Sequence, residues 1–325
     1  MTTLAAQVAH PVGRASAYRV GNDGIARVLP WSGGITLNHR IGDRCVGLAG
    51  DHIEPGVSLH NNSREVTGGP NGPNLALMTY ACVGNVARVV SGPAAGSRGI
   101  VTGKHGGVEH VIVDFPARVM RQMRIGDQIQ IWSIGLGLRL LDHPDVTVLN
   151  CSPALLQRWG LRSEQGRLHV PVSHLVPAAI MGSGLGRPDA ARGDYDIQLF
   201  DPVVRRRFRL DTLRFGDLVA IVHADTQFGR AYRRGAVTIG VVVHSDSTIS
   251  GHGPGVVSLL TTREGTIRPR IDPNANLARV FGIRPAAAPR RYEPLAGGAP
   301  SRRSANPTAR AIPPIRPPTR PLGRT

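Results

Sequence analysis

Short apolar runs that end at glycine or proline place the strongest limit on the fold of this chain. Val111–Phe115, Ala236–His244 and Val256–Leu260 are brief and rich in β-branched residues, which is typical of buried strands. The chain also contains 40 glycines and 26 prolines, and these supply frequent turns while leaving little room for long helices. The sequence therefore predicts a mainly β, barrel-like fold of the α+β class, with few short helices.

A four-residue pattern, Arg-x-Gly-Asp, occurs three times before apolar segments, at 40–43, 124–127 and 214–217. Because Gly-Asp favours a tight turn, the pattern predicts a recurrent way of entering a buried strand, with chance recurrence as the alternative. The clearest helix is predicted over 152–160, where Ser152 can cap the first turn and Gly160 follows the last one.

Changes of composition divide the chain into four segments. Residues 1–17 are predicted to be a flexible N-terminus, 18–150 a β-rich N-terminal domain and 151–283 a β-rich C-terminal domain. Residues 284–325 hold ten prolines, nine arginines and one glutamate. Such a segment cannot bury enough apolar surface to offset the entropy of ordering, so it is predicted to be a disordered Pro/Arg-rich tail.

The formal net charge of the chain is +17, of which the tail carries +8. The remaining body is moderately basic, which attracts anionic substrates but does not require a polynucleotide. Cys45, Cys82 and Cys151 are widely spaced and form no paired motif, which indicates a reduced setting. Without an apolar leader or membrane-length segment, the sequence predicts a cytoplasmic protein with no membrane partner.

The only lysine, Lys104, lies among 38 arginines in the stretch Gly103–His110. An ammonium group is compact and can lose its proton when desolvated, whereas guanidinium is planar and always charged. A lone lysine therefore indicates a task that arginine cannot perform, with a surviving salt bridge as the alternative. His105, Glu109 and His110 follow within a few positions, among glycines that allow close backbone approach.

Two further clusters combine histidine with carboxylates. Asp51, His52 and Glu54 precede Pro55-Gly56, and His244, Asp246, Ser247 and His252 follow a buried strand. Histidine and carboxylate together suit zinc, manganese or iron, and also acid–base work. We expect the three clusters to meet in one pocket. The alternatives are that Asp51 and Asp246 cap turns and that His110 is an ordinary half-buried histidine.

These expectations assign three sets of residues. Groups expected to act in catalysis are Lys104, His105, His252 and Asp246. Groups expected to bind a divalent metal are Asp51, His52, Glu54, His110 and His244. Groups expected to contact the substrate are Glu109, Ser247 and Ser58.

Three strings of the sequence resemble one family. Gly-Asp-His-Ile-Glu-Pro-Gly-Val-Ser at 50–58, Val-Thr-Gly-Lys-His-Gly-Gly-Val-Glu-His-Val at 101–111, and Ile-Gly-Val-Val-Val-His-Ser-Asp-Ser at 239–247 with Gly-His-Gly-Pro-Gly-Val are similar to domain-of-unknown-function family 4438. The resemblance extends from Tyr18 to Phe281 and implies a mostly β fold in two parts. It implies no activity, cofactor or catalytic residue.

Three functional hypotheses follow. The first is an enzyme of hydrolase or lyase/isomerase type that acts on a small polar or anionic metabolite, with a divalent metal (Zn, Mn or Fe) as candidate cofactor and a homo-oligomer as expected state. The second is a nucleic-acid-binding protein that uses the hairpin at 84–102 and the Arg-rich tail; few aromatic residues are present for stacking bases, so it is not favoured. The third is a non-catalytic oligomeric β protein.

Overall fold

The computed structural model describes residues 1–12, 18–31, 33–63 and 71–284. Within these ranges the strands are β1 Thr2–Val8, β2 Arg19–Val20, β3 Ala26–Arg27, β4 Ile35–Thr36, β5 Gly56–His60, β6 Val86–Val89, β7 Arg98–His105, β8 His110–Asp114, β9 Gln128–Ser133, β10 Thr147–Val148, β11 Arg162–Glu164, β12 Arg167–Val172, β13 His174–Pro177, β14 Tyr195–Asp196, β15 Leu218–Asp225, β16 Ala231–Val242, β17 Gly255–Thr262 and β18 Ile267–Ile271. The helices are α1 Gly72–Tyr80, α2 Ala117–Met120, α3 Pro153–Arg158, α4 Pro202–Arg207 and α5 Leu277–Val280. The mainly β class predicted from sequence is confirmed.

Six antiparallel strands form a closed barrel in the order β1-β9-β6-β7-β8-β5, and a pairing of β5 with β1 closes it. β4 adds to the edge beside β5. The barrel interior is filled by alternating apolar side chains, among them Val57, Leu59, Val101, Val113 and Ile131, each of which is fully buried. β6 and β9 show the period-two burial expected when only one strand face is covered, whereas β5 and β8 are buried on both faces.

A second sheet has the order β10-β17-β16-β15-β13, with β14 paired to β17 outside that path. β16 and β17 are buried on both faces over most of their length, which explains their continuous apolar runs. A third sheet, β11-β12-β18, packs into the same apolar interior through Leu168, Val170 and Ile267. This interior also includes Cys45, Ile53 and other residues from the first half of the chain.

The three Arg-x-Gly-Asp segments adopt the same turn, so their recurrence is structural. In each, an Asp Oδ2 accepts the backbone N–H of the arginine three positions earlier, at 2.8, 2.9 and 2.9 Å. Each turn glycine has a positive φ, which a residue with a side chain rarely adopts. The second and third turns lead into β9 and β15. The first leads into an irregular segment that bridges the third turn through Arg44 and Arg214.

The N-terminal segment corrects one expectation. Residues 1–17 were expected to be flexible, but Thr2–Val8 form β1, which pairs with both β9 and β5. Residues 13–17 and 285–325 lie outside the described residues. The disorder predicted for the tail therefore stays a prediction. The division into domains at 150/151 stays a prediction. No helix in the described ranges is both long enough and apolar enough to cross a membrane.

Candidate metal centre

Four imidazole rings meet where the barrel contacts the second sheet. His52 lies in the loop before β5, His105 ends β7, His244 follows β16, and His252 precedes β17. The ring centroids of His105 and His244 are 4.2 Å apart, and those of His52 lie 4.9 Å from both His244 and His252. Residues from all three sequence clusters therefore form one site.

Two carboxylates that the sequence analysis missed complete this site. Asp194 Oδ2 lies 2.7 Å from His244 Nε2, and Asp196 Oδ2 lies 3.2 Å from His252 Nδ1 and 3.6 Å from His52 Nε2. The signal in the sequence is Asp194-Tyr195-Asp196, because alternate residues of an extended chain share one face. We call these six side chains the His/Asp centre: His52, His105, Asp194, Asp196, His244 and His252.

Hydrogen-bond acceptors behind three of the rings fix their orientation. Asp51 Oδ1 lies 2.8 Å from His52 Nδ1, and Glu54 Oε1 lies 2.6 Å from His105 Nδ1. The backbone carbonyl of Ser245 lies 2.8 Å from Nδ1 of His244. A proton held on Nδ1 by such an acceptor leaves the Nε2 lone pair available for a metal ion. Asp51 and Glu54, expected as metal ligands, thus lie behind the imidazole rings of His52 and His105 and orient them.

Glu54 also contacts a second histidine. Its Oε2 lies 2.9 Å from His110 Nδ1 and accepts a hydrogen bond from Ser58 Oγ. Burial disfavours the charged carboxylate, but the neighbouring His110 and His105 outweigh it and lower the pKa of Glu54. His110 and Ser58, expected as metal ligand and substrate contact, therefore connect to the His/Asp centre through Glu54.

Two buried atoms of the centre have no hydrogen-bond partner. His244 Nε2 and Asp194 Oδ2 form a buried ion pair 2.7 Å apart, but their mutual angle departs from hydrogen-bond geometry and neither atom has another hydrogen-bond partner in the described part of the chain. Gly255 lies directly against both, and a Cβ at that position would overlap them. Buried polar atoms with incomplete hydrogen bonding are costly, so this pair is a candidate site for a bound group, and an N/O donor pair of this kind suits a divalent cation.

The electrostatics of the centre also demand positive charge. Burial opposes an imidazolium at His244, but Asp194 and Asp196 outweigh burial and raise its pKa well above the ordinary value. Burial alone would raise the pKa of Asp196, but the neighbouring imidazoles outweigh burial and lower it. The pKa of His105 is lowered, first by burial and then by His244. Protons or metal ions can supply this charge, so metal binding would displace protons.

Hydrogen bonds between distant segments hold the centre together. Ile53 N–H donates to Ser245 Oγ at 2.8 Å, and Ser245 N–H donates to the Ile53 carbonyl at 3.0 Å. His52, which directly precedes Ile53, has a φ of 53°, a left-handed conformation that is uncommon outside glycine. Strain of this kind concentrates at functional sites, where the surroundings enforce it.

Lys104 lies outside the His/Asp centre. Its neighbour His105 points to the opposite face of β7. Lys104 Nζ donates to Asn150 Oδ1 and the Ala191 carbonyl, both at 2.7 Å, and to the Thr79 carbonyl at 3.3 Å. Burial lowers its pKa to about 8. The side chain thus uses its three donors to tie β7 to the loop that leads to Asp194, and its expected catalytic role stays a prediction.

The remaining candidates lie at the margin of the centre. Asp246 Oδ2 accepts the N–H of Gly47 at 2.8 Å, as the turn-capping alternative predicts. Ser247 Oγ accepts the N–H of Ile249 at 3.1 Å and also hydrogen-bonds to Asp51. Glu109 pairs with Arg187 at 3.6 Å. None of these three contacts a ring of the four central histidines, and their catalytic and substrate roles stay predictions.

Two residues that the sequence did not indicate support the centre. Trp31 stands edge-on to His52 and His105, with centroid distances of 5.1 and 6.2 Å. Arg230 is almost fully buried, lies over the Tyr195 ring, and donates to the carbonyl of Gly193 at 2.9 Å. It thereby fixes the backbone on which Asp194 and Asp196 are carried.

Comparison with known proteins identifies the family. The N-terminal domain of DUF4438, a domain of unknown function, matches residues 18–157, and its C-terminal domain matches residues 158–281. The crystal structure of TM1086 is similar, with a TM-score of 0.79 and 43% sequence identity over 87% of this chain and 95% of that one. No curated protein matches the chain. The two matches together span most of the sequence, so the chain belongs to the DUF4438 family.

Proposed function

We propose that the protein is a metal-dependent enzyme of the hydrolase or lyase/isomerase type that acts on a small polar or anionic metabolite. The observation that carries the proposal is the pair of buried atoms, His244 Nε2 and Asp194 Oδ2, which lie 2.7 Å apart without a hydrogen bond. They sit among three further imidazoles and a second carboxylate. This donor set of nitrogen and oxygen suits zinc, manganese or iron, and contains no thiolate.

One side of the His/Asp centre is exposed to solvent, which favours a catalytic role for a bound ion over a purely structural one. The side chain of His252 is 30% exposed, whereas those of His105, Asp194 and His244 are 5% exposed or less. A divalent ion here would polarise a substrate oxygen and lower the pKa of bound water. His105 and His252, expected from sequence as acid–base groups, are proposed as ligands. The Trp31 ring offers an apolar wall beside His52 and His105.

Metal analysis of the purified full-length protein tests this proposal. We expect a divalent metal at stoichiometric amounts in the wild type and less bound metal in Asp194→Asn. The control is His169→Gln, which changes a half-exposed histidine of β12 outside the centre and should keep the metal. A metal-free wild type after growth with zinc, manganese and iron would contradict the proposal and favour the non-catalytic oligomer. With metal present, a screen of small esters, amides and hydroxy acids identifies the reaction class.

Removal of the metal by a chelator should also destabilise the wild type. A ligand at 100 times its Kd stabilises a fold by about 2.7 kcal/mol. We therefore expect the chelator to lower the unfolding temperature of the wild type and of His169→Gln, and to lower that of Asp194→Asn by a smaller amount. Equal shifts in all three proteins would mean that the chelator acts elsewhere.

The expected partners stay proposals. A small-molecule ligand follows from the open side of the centre, and a homo-oligomer is tested by light scattering of the full-length chain. The nucleic-acid alternative depends on the tail, which lies outside the described residues, and on the hairpin β6–β7, whose strands are part of the closed barrel.

A further inference from the structure

We propose that the His/Asp centre holds two divalent ions bridged by Asp196. His105, Asp194 and His244 would bind an inner ion, and His52, Asp196 and His252 an outer ion. This inference rests on the proposed function and specifies the number and the different roles of the ions.

The spacing of the outer group fits a single ion. His52 Nε2, His252 Nδ1 and Asp196 Oδ2 are separated by 3.0, 3.2 and 3.6 Å. Ligands about 2.0–2.1 Å from a tetrahedral ion lie about 3.3 Å from one another. The three separations scatter around this value, and the fourth position of such a site faces the exposed edge of His252.

The inner group fits an ion of its own. Its three ligand atoms, contributed by His105, Asp194 and His244, lie within 4.8 Å of one another and are buried. It includes the two atoms that lack hydrogen bonds. The other oxygen, Asp194 Oδ1, accepts the N–H of Gly106 at 2.8 Å, which fixes the direction of Oδ2.

Asp196 connects the two groups. Its Oδ2 faces His52 and His252, while its Oδ1 lies 3.6 Å from His244 Nε2 of the inner group. A carboxylate whose two oxygens face different ligand sets is placed to bridge two ions, which in such centres lie about 3.5–4 Å apart.

The two positions differ in access to solvent. The inner ion would be enclosed by side chains that are at most 5% exposed, and the outer ion would border His252. We infer that the inner ion binds first and exchanges slowly, and that the substrate meets the outer ion.

Calorimetric titration of chelator-treated full-length protein with Zn²⁺ tests the stoichiometry. We expect two ions per chain in the wild type and in the control His169→Gln. In His252→Gln we expect one ion, with the tighter Kd kept and the second weakened by well over 100-fold, beyond the roughly 10–100-fold that an outer-shell change produces. Because His252 is partly exposed, this variant should fold, and circular dichroism verifies that it does.

Electron paramagnetic resonance of the Mn²⁺-loaded protein tests the bridge. Exchange-coupled spectra are expected for the wild type, and uncoupled spectra for Asp196→Asn and His252→Gln. One ion per chain at saturation, or two uncoupled ions in the wild type, would overturn the two-ion centre while leaving a metal-dependent enzyme intact. Absence of any bound ion would overturn both proposals.

Discussion

Two regions of this protein bury a histidine beside aspartate, and they differ in how their polar atoms are satisfied. In the first, His174 lies near Asp217 in the third Arg-x-Gly-Asp turn. In the second, the His/Asp centre, Asp194 lies beside His244. Residue type and burial are nearly the same in both regions, but the hydrogen bonds that the histidine and aspartate make differ.

The turn region has partners for every polar atom of its pair. Asp217 Oδ1 accepts from Arg214 and Asn276, both at 2.8 Å, and its Oδ2 accepts the backbone N–H of Arg214. The ring nitrogens of His174 lie 2.9 Å from the hydroxyls of Ser173 and Thr212. Nothing is left for a ligand, so this region stabilises the fold. Incomplete hydrogen bonding, rather than residue type, distinguishes the His/Asp centre from this region.

Substitution of the two aspartates should separate the regions most strongly. Asp217→Ala removes the carboxylate that accepts hydrogen bonds from Arg214 and Asn276. Removal of one partner from a buried pair lowers the free energy of unfolding by about 3–5 kcal/mol. Asp194→Asn should change the free energy of unfolding of the metal-free protein by less than about 1 kcal/mol, since the amide keeps the Gly106 bond and His244 can lose its proton. Urea unfolding with chelator present measures both. Equal losses of unfolding free energy in the two variants would contradict the proposed difference between the two regions.

The pH dependence of stability sharpens the comparison. Burial lowers the pKa of His174 from 6.5 to about 4. Between these values the unfolded chain binds the proton and the folded chain does not, so stability is complete above pH 6.5 and is lost as pH falls towards 4. The full loss is about 3 kcal/mol. Unfolding of the metal-free protein from pH 7 to 4.5 should show a shallower slope in His174→Gln. If the pH dependence of the unfolding free energy is unchanged in His174→Gln, groups other than His174 cause the loss of stability at low pH.

Substitution of Lys104 is expected to cost less stability than that of Asp217. Lys104→Met leaves the Thr79 and Ala191 carbonyls without a donor, but it also removes a buried charge, so we expect a loss of about 1–2 kcal/mol. Metal content should not change. If Lys104→Met instead folds with wild-type stability and abolishes turnover, the lysine is a catalytic residue, as the sequence first indicated, and the structural assignment fails.

Much of the fold could be predicted because strand signals here are local. The Ser152 cap and Gly160 mark the ends of α3, and Ser152 Oγ accepts the N–H of Leu155 as expected. β1 could not be recognised, because its small, weakly alternating residues become a strand only through pairing with β9 and β5. Helix α1 begins with Gly72-Pro73, within a stretch rich in glycine, proline and asparagine that favours loops in isolation.

The site was half predictable for a similar reason. The histidines stand out in sequence, since glycines surround His105 and His252. Asp194 and Asp196 follow a glycine-rich loop, and only the pairing of β14 with β17 brings them to the rings. The argument for Lys104 correctly indicated a tight site for a compact ammonium, but carbonyl groups rather than a substrate occupy its three donors.

The ring contact between His52 and His252 joins residues 200 positions apart. Long-range pairings of this kind form late, after most of the chain has become available. If the centre binds metal as proposed, an ion that needs both rings can enter only after β17 and the loop before it have docked against the barrel. The rate of metal uptake would then report the completion of folding, independently of any reaction at the centre.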